Sequence, residues 1–430
     1  MVNTAYINIW GARVGAVSWN SEKGFASFEF DSGFQKKRWN LSPIKLPVDS
    51  PKGRIFSFSE LSKTKTFRGL PGLLADTLPD KYGNALINTW LSRHGRPADD
   101  MNPIEQLCFI GKRGMGALEF EPTLVKEPQN EEVIEIRELV QIADQILSGK
   151  TNFHTKLNPE DEKAIVDILK IGTSAGGARA KALISYNPVT EEVYSGQGDV
   201  KPGHEHWLIK FDGVHDAQFG TSSGYGRVEM AYYLMATEAG IDMMECRILE
   251  ENGRAHFMTK RFDRDPTEGK IHMQSFCGLT HYDFNEVGLN SYEQLFETMR
   301  ILRLSYPEAE QMFRRMVLNV LARNCDDHTK NFAFLMDKNG KWKLAPAYDV
   351  CHAFRPDSPW VSQQSLSVNG KRRGIGLDDL LSVGQQMNIK RAKPIVEQVK
   401  NVVKKWPEFA EKTLVEPILR DAILSTFPEF

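Results

Sequence analysis

The chain has 430 residues, 41% of them hydrophobic and 26% charged, with a formal net charge of −2. This is ordinary globular composition, enough for two or three domains with proper cores. The charge balance excludes a general nucleic-acid or membrane surface, so any basic patch must be local. Cys108, Cys246, Cys277, Cys325 and Cys351 are odd in number and lack a C-x-x-C pair, which points to a reducing compartment. Asn3, Asn8 and Arg13 interrupt the opening apolar residues, and no apolar run could span a bilayer. The expectation is a cytoplasmic protein with no membrane contact.

In chain order, residues 6–10, 14–19, 25–30 and 54–58 alternate as strands of a small meander. Residues 67–84 are punctuated by Pro71 and Pro79 before a helix over 86–91, with Asp76 and Asp80 better suited to caps and turns than to ligation. The glycines of 106–120 lack the strand–loop–helix context of a phosphate loop. Residues 121–135 turn polar and proline-containing, marking a boundary, and 133–147 has the periodicity of an amphipathic helix.

Small residues from Ser174 to Ala178 would let the backbone approach an anion, with Arg179 and Lys181 adding positive charge. On residues alone, an anion-binding loop and a flexible hairpin stay equally open. Residues 206–211 alternate, placing Leu208 and Lys210 on one strand face, and Glu229 on the following helix is a candidate partner for Lys210. Such a lysine–glutamate pair positions ATP phosphates in kinases. Residues 255–264 form another strand ending in a turn, where Asp263 and Arg264 read as a structural ion pair. The spacing of His272, Cys277 and His281 fits no common zinc site.

Met312, Phe313, Met316, Val317, Val320 and Leu321 recur at helical spacing and deliver the chain into a polar loop containing Asp326, Asp327, His328, Lys330 and Asn331. Two short strands, 332–336 and 341–344, then lead to Asp349. Kinases use the same order: an Asp that deprotonates the acceptor hydroxyl, an Asn, a hairpin and a metal-binding Asp. Asp326 and Asn331 match that spacing, Asp327 less well. Arg323 is positioned to brace the loop through a carboxylate. Closing helices are expected over 377–381, 395–403 and 414–427. Between Gly370 and Gly374, Lys371, Arg372 and Arg373 form the sharpest basic cluster, most simply a solvated loop.

Residues 67–84 and 110–122, followed by the segments around Ser174 and Asp326, resemble the HipA-type serine/threonine kinases, toxins of bacterial toxin–antitoxin pairs. The resemblance implies an α+β, two-lobed protein-kinase-like fold with a β-rich N-terminal region, a mainly helical C-terminal lobe and ATP between the lobes. Residues 1–125 would be the N-terminal β-rich subdomain, 126–262 the kinase N-lobe and 263–430 the helical C-lobe. It further implies ATP and Mg²⁺ as cofactors, Asp326 as catalytic base, and Asn331 and Asp349 as metal ligands. Gly176, Gly177, Ala178, Arg179, Ala180 and Lys181 match the phosphate-covering loop, and Ser174 the autophosphorylated serine. A phosphoserine there would bring roughly −2 charge and act as an off-switch. Lys210 with Glu229 matches the ATP-binding pair, and Lys260, Arg261 and Phe262 the hinge that meets adenine. Where relatives carry Glu at the first hinge position, this chain has Lys260. His328, Thr329, Lys330 and Tyr348 would line the nucleotide cavity. The implied partners are a HipB-like helix-turn-helix antitoxin, operator DNA through that complex, and a protein substrate such as an aminoacyl-tRNA synthetase. Lys371, Arg372 and Arg373 could touch the DNA. A small-molecule phosphotransferase and a non-catalytic co-repressor subunit remain alternatives.

Overall fold

The structure, a computed structural model, describes residues 2–124, 135–148, 179–196, 200–216, 220–221 and 223–429. Ser174, Gly176, Gly177 and Ala178 lie outside the described residues. The chain divides into two compact units: residues 1–39, 48–226 and 245–272 form one, and residues 40–47, 227–244 and 273–430 the other.

In the first unit, alternation of apolar and polar residues builds the expected meander from Thr4–Ile9, Ala12–Asn20, Phe25–Phe30 and Ile55–Ser57. Ala5, Ile7 and Ile9 point to the core while their neighbours stay out, the period-2 pattern of a half-buried strand. A fifth strand, Leu118–Glu121, returns to the open edge of the first, pairing Ile7 with Phe120. At Gly15 a β-carbon would lie 2.1 Å from the Glu29 carbonyl, so only glycine permits these two strands to close.

A second five-stranded antiparallel sheet runs in the order Cys246–Glu251, Arg254–Lys260, Glu205–Lys210, Lys181–Tyr186, Val193–Ser195. Trp207, Ile209, Ala182 and Ile184 pack on Leu139, Val140 and Ala143 of helix Ile136–Ser148, and on Tyr82 and Leu86 of helix Lys81–Arg93. The amphipathic stripe expected over 133–147 is therefore the stripe that closes this sheet's core.

The second unit is mainly helical. Helix Tyr292–Ile301 begins in a reciprocal cap, in which the Ser291 hydroxyl accepts from the Gln294 N–H and the Gln294 side chain from the Ser291 N–H. Helix Tyr306–Leu321 follows, and then the hairpin Ala333–Met336 and Trp342–Leu344, which His272–Ser275 extends to three strands. Helices Leu377–Gln386, Ala392–Val403, Trp406–Lys412 and Pro417–Leu424 close the unit. The helix expected over 414–427 forms as Pro417–Leu424; it starts late because Leu414 adopts a left-handed φ of 57° and Pro417 takes the first helical turn. Residues 40–47 join this unit from far away in sequence, and the Ser42 hydroxyl accepts a 3.3 Å hydrogen bond from the Gln274 amide.

All five cysteines are free thiols. Among the described residues no helix is long and apolar enough to cross a membrane.

Candidate active site

Helix Tyr306–Leu321 is anchored by the six apolar residues whose spacing predicted it, all buried. It stops where Arg323 turns left-handed (φ 51°) and the chain runs beside Ala353, with Cys325 N–H on the Ala353 carbonyl and Ala353 N–H on the Arg323 carbonyl. Arg323 donates to the Thr426 carbonyl at 2.8 Å and stacks on Phe354. The brace expected to use a carboxylate thus uses a carbonyl and a ring.

The loop then folds back on itself. Asn331 N–H bonds the His328 carbonyl, closing a short turn over Thr329–Asn331, and the Asn331 side-chain nitrogen donates to the Asp326 carbonyl at 2.7 Å. The Asp326 carboxylate is about half exposed (47%), with Oδ1 3.8 Å from His328 Nε2. Downstream, Asp337 accepts the N–H groups of Asn339 and Lys341 to form the hairpin turn. The Tyr348 hydroxyl then donates to the Lys330 carbonyl at 2.6 Å, tying the residue before Asp349 to the loop. Asp349 itself is left-handed, φ 55°, a conformation unusual outside glycine and asparagine. Asn331 and Asp349 line one small cavity together with Arg315, Asn319, Asn324 and Asp327. Asp326 meets this arrangement through its main-chain carbonyl.

Asp327, the loop residue with the weaker match, is the loop's anchor. It is 1% exposed and accepts from the Tyr292 hydroxyl at 2.7 Å, the Gln364 amide at 3.0 Å and the Ser365 N–H at 2.6 Å. Burial pushes its carboxyl up to about 6, against the pull of those donors. Behind it, Asn319 donates to the Tyr292 hydroxyl and accepts from Asn324. The sequence signal was Asn319 itself, a polar residue inside a run of buried apolar helix positions.

The other loop residues divide. Thr329 is buried and donates to the Tyr282 carbonyl, so it supports the loop and does not offer its hydroxyl to a nucleotide. His328 packs on Phe284, and Lys330 lies over the same ring at 5.1 Å.

Within the first unit, Lys181 and Lys210 are direct cross-strand partners, so their side chains leave the same face of the sheet. Lys181 is 2% exposed and its Nζ lies 3.0 Å from Asp80, which also caps helix Lys81–Arg93 through the Gly83 N–H. It is therefore a buried paired lysine at the start of a strand, where the sequence reads as positive charge at the end of a loop. Lys210 is half-buried, 5.8 Å from the Phe257 ring. Arg179 stacks on Tyr225 at 4.6 Å, and Ala180 is buried, its carbonyl accepting from Phe211. Glu229 is buried on the helix Tyr225–Glu238, in the second unit.

At the expected hinge, Lys260 N–H is donated to the Glu245 carbonyl and Arg261 N–H to the His206 carbonyl, so these two backbone donors are used within the protein. The Lys260 side chain pairs with Glu205 at 2.5 Å. Arg261 is buried in a two-point pair with Asp263, which Arg264 also contacts at 2.8 Å. Asp263 in turn accepts the Gly116 N–H, while Arg264 donates to the Gly114 and Gly116 carbonyls. The ion pair read from sequence is structural, and it holds the glycine turn at 111–116. Phe262 follows Arg261 directly.

The basic loop also divides. Lys371 pairs with Asp379 at 2.9 Å and Arg372 donates to the Gln364 carbonyl at 2.6 Å, across a tight Val368–Lys371 turn. Both side chains hold the fold, leaving Arg373 as the exposed arginine of the three.

For a cation, Asn331 and Asp349 present a hard, all-oxygen donor pair. The Asn331 nitrogen is spent on the Asp326 carbonyl, which fixes the amide and turns its oxygen away from that carbonyl. One carboxylate and one amide oxygen, completed by phosphate oxygens, suit Mg²⁺. The residues present fit that ion.

An α+β protein with a kinase-like fold is thus defined: 34% helix and 22% strand among the described residues, and an Asp–Asn–hairpin–Asp arrangement in its helical unit. Residues 5–121 match the HipA N-terminal domain and residues 173–406 the HipA-like C-terminal domain, and the chain belongs to the HipA family. Its fold is similar to HipA of Shewanella oneidensis MR-1, solved with HipB and operator DNA, at a TM-score of 0.64 and 16% identity over 98% of this chain and 94% of that one. Two curated relatives bear names marking them as inferred kinases. One, from Haemophilus influenzae, is 28% identical over 28% of this chain and 39% of its own length. The other, from Sinorhizobium fredii, is 22% identical over 58% of this chain and 62% of its own length. The chain thus spans less than two thirds of either relative.

Proposed function

We propose that this protein is an ATP-dependent serine/threonine protein kinase and the toxin of a HipBA-like pair. The observation that carries the reading is the Asn331 amide bonded to the Asp326 carbonyl while Asn331 and Asp349 share one cavity. That couples the candidate base to the candidate metal ligands through a single side chain. In this reading the half-exposed Asp326 carboxylate accepts the proton of a serine or threonine hydroxyl. Asn331 and Asp349 would hold Mg²⁺, which when bound offsets the negative charge of the phosphates. Lys210 would offset further phosphate charge. Tyr348 and Asp327 keep the loop in place, from the two ends of the segment.

Membership of the HipA family supports a helix-turn-helix antitoxin of the HipB type as partner, with operator DNA reached through that complex, and a translation-related protein such as an aminoacyl-tRNA synthetase as substrate. Ser174 would be the autophosphorylated residue. Mass spectrometry after incubation with Mg-ATP tests this directly: phosphate is expected on Ser174. A Ser174→Ala protein should keep its activity through the same incubation, and if it declines as fast as wild type the off-switch reading fails.

A further inference from the structure

We infer that Arg315 is a positioning residue for the divalent-cation site, acting through Asp349. Arg315 sits on helix Tyr306–Leu321 and is 5% exposed, a buried cation in the wall of the cavity that Asn331 and Asp349 share. One guanidinium nitrogen, Nη2, donates to the Ala345 carbonyl at 2.8 Å. Ala345 lies four residues before Asp349 and its own N–H is held by the Ala333 carbonyl, so Arg315 fixes the strand end that launches the segment carrying Asp349. From the other side, Ala347 N–H is held by the Asp242 carbonyl; burial weakens the guanidinium's hold on its proton, and the Asp242 carboxylate offsets part of that.

A second, independent feature concerns the same side chain. Arg315 Nε is buried and has no hydrogen-bond partner in the protein. Buried donors of a charged group are costly to leave unmade. Asp349, Asp327, Asn319, Asn324 and Asn331, all with side chains that can accept, line the same cavity. A guanidinium offers several donors in a rigid plane, so with Nη2 on the Ala345 carbonyl the unused Nε–H would reach the cavity oxygens through one bridging water. It would keep Asp349 in the orientation a cation needs, as outer-shell groups do at metal sites.

This inference rests on the kinase reading only in taking Asn331 and Asp349 as the ligands. The test is Mn²⁺ affinity, measured by electron paramagnetic resonance in the presence of a non-hydrolysable ATP analogue, beside thermal unfolding of each variant. Wild type should bind and Asp349→Asn should lose binding. If wild type shows no binding, or Asp349→Asn binds as wild type does, the metal assignment itself falls and the inference with it. Given that control, Arg315→Met should bind Mn²⁺ about 10- to 100-fold more weakly, and Arg315→Lys, which keeps the charge and one donor, should recover part of the loss. Affinity equal to wild type in folded Arg315→Met would make the residue purely structural and overturn the inference. Tighter binding would overturn it too, since removal of a repelling cation would then dominate. Should Arg315→Met fail to fold, Arg315→Lys and Arg315→Gln carry the same comparison.

Discussion

The side-chain nitrogen of Asn331 bonds the main-chain carbonyl of Asp326 at 2.7 Å, closing a six-residue loop from within. One residue therefore serves the geometry of the candidate base and the donor set of the candidate cation site. Asn331→Ala should lower phosphoryl transfer by about 10²-fold, the scale of loss from a misplaced group, with the folded structure retained. Asn331→Asp keeps the oxygen donor but loses the N–H, so it should preserve cation binding better than transfer. Parallel measurement of metal affinity and turnover checks both.

Asp327 makes stability pH-dependent. Burial raises its folded-state carboxyl to about 6, above the ordinary value near 3.8. The folded state thus holds the proton more tightly, and stability should fall as pH rises from about 4 to about 6, then level off. Two units correspond to roughly 3 kcal/mol from this group. Urea midpoints across that window should slope downward in wild type and flatten in Asp327→Asn. An unchanged slope would remove Asp327 as the titrating group.

The Arg261–Asp263–Arg264 cluster behaves in the opposite sense. Burial pushes the Asp263 carboxyl up, but the two guanidiniums and the Gly116 N–H hold it well below the usual carboxylate range. Its contribution is present above about pH 4 and lost as pH falls further. Asp263→Ala leaves two buried cations without their anion and should cost about 3–5 kcal/mol, read by chemical denaturation. Lys260→Ala breaks a pair with Glu205 that is about one third exposed and should cost about 1 kcal/mol or less.

Lys181 and Lys210 face the same way from adjacent strands but should respond differently. Lys181→Met strips Asp80 of its buried partner and should act on stability. Lys210→Met should act on nucleotide affinity, with little change in unfolding. Titration with a fluorescent ATP analogue beside thermal denaturation separates the two outcomes.

In the basic loop, Arg373→Ala should reduce the salt dependence of operator binding by the antitoxin complex, lowering the slope by about one phosphate contact. Arg372→Ala should instead loosen the Gln364 carbonyl it holds, and with it the support of Asp327. Binding at several salt concentrations distinguishes them.

Much of this was legible in the residues. The helix into the loop declared itself through six apolar positions at helical spacing, and the hairpin through Asp337 and Gly340 between two apolar runs. The order Asp326, Asn331, Asp349 was visible because its chemistry is set by local spacing. What stayed hidden depends on distant partners. No local pattern says that Lys181 meets Asp80, or that Arg261 and Arg264 converge on Asp263 and a glycine turn about 150 residues earlier. The same holds at the expected hinge: whether the Lys260 and Arg261 N–H groups are available depends on residues paired from elsewhere. Strand Leu118–Glu121 finds its edge more than a hundred residues back. Asp327 was undervalued because spacing ranks a loop residue by its match to a motif, while its role comes from Tyr292, Gln364 and Ser365.

The central claim is that Asp326 is the base of a phosphoryl transfer supported by Asn331 and Asp349. Transfer from γ-labelled Mg-ATP to the protein itself and to protein acceptors should be measured for wild type and Asp326→Ala at matched thermal stability. The account predicts label in wild type and a drop of about 10²–10⁴-fold in the variant. Equal transfer by the two proteins would contradict it.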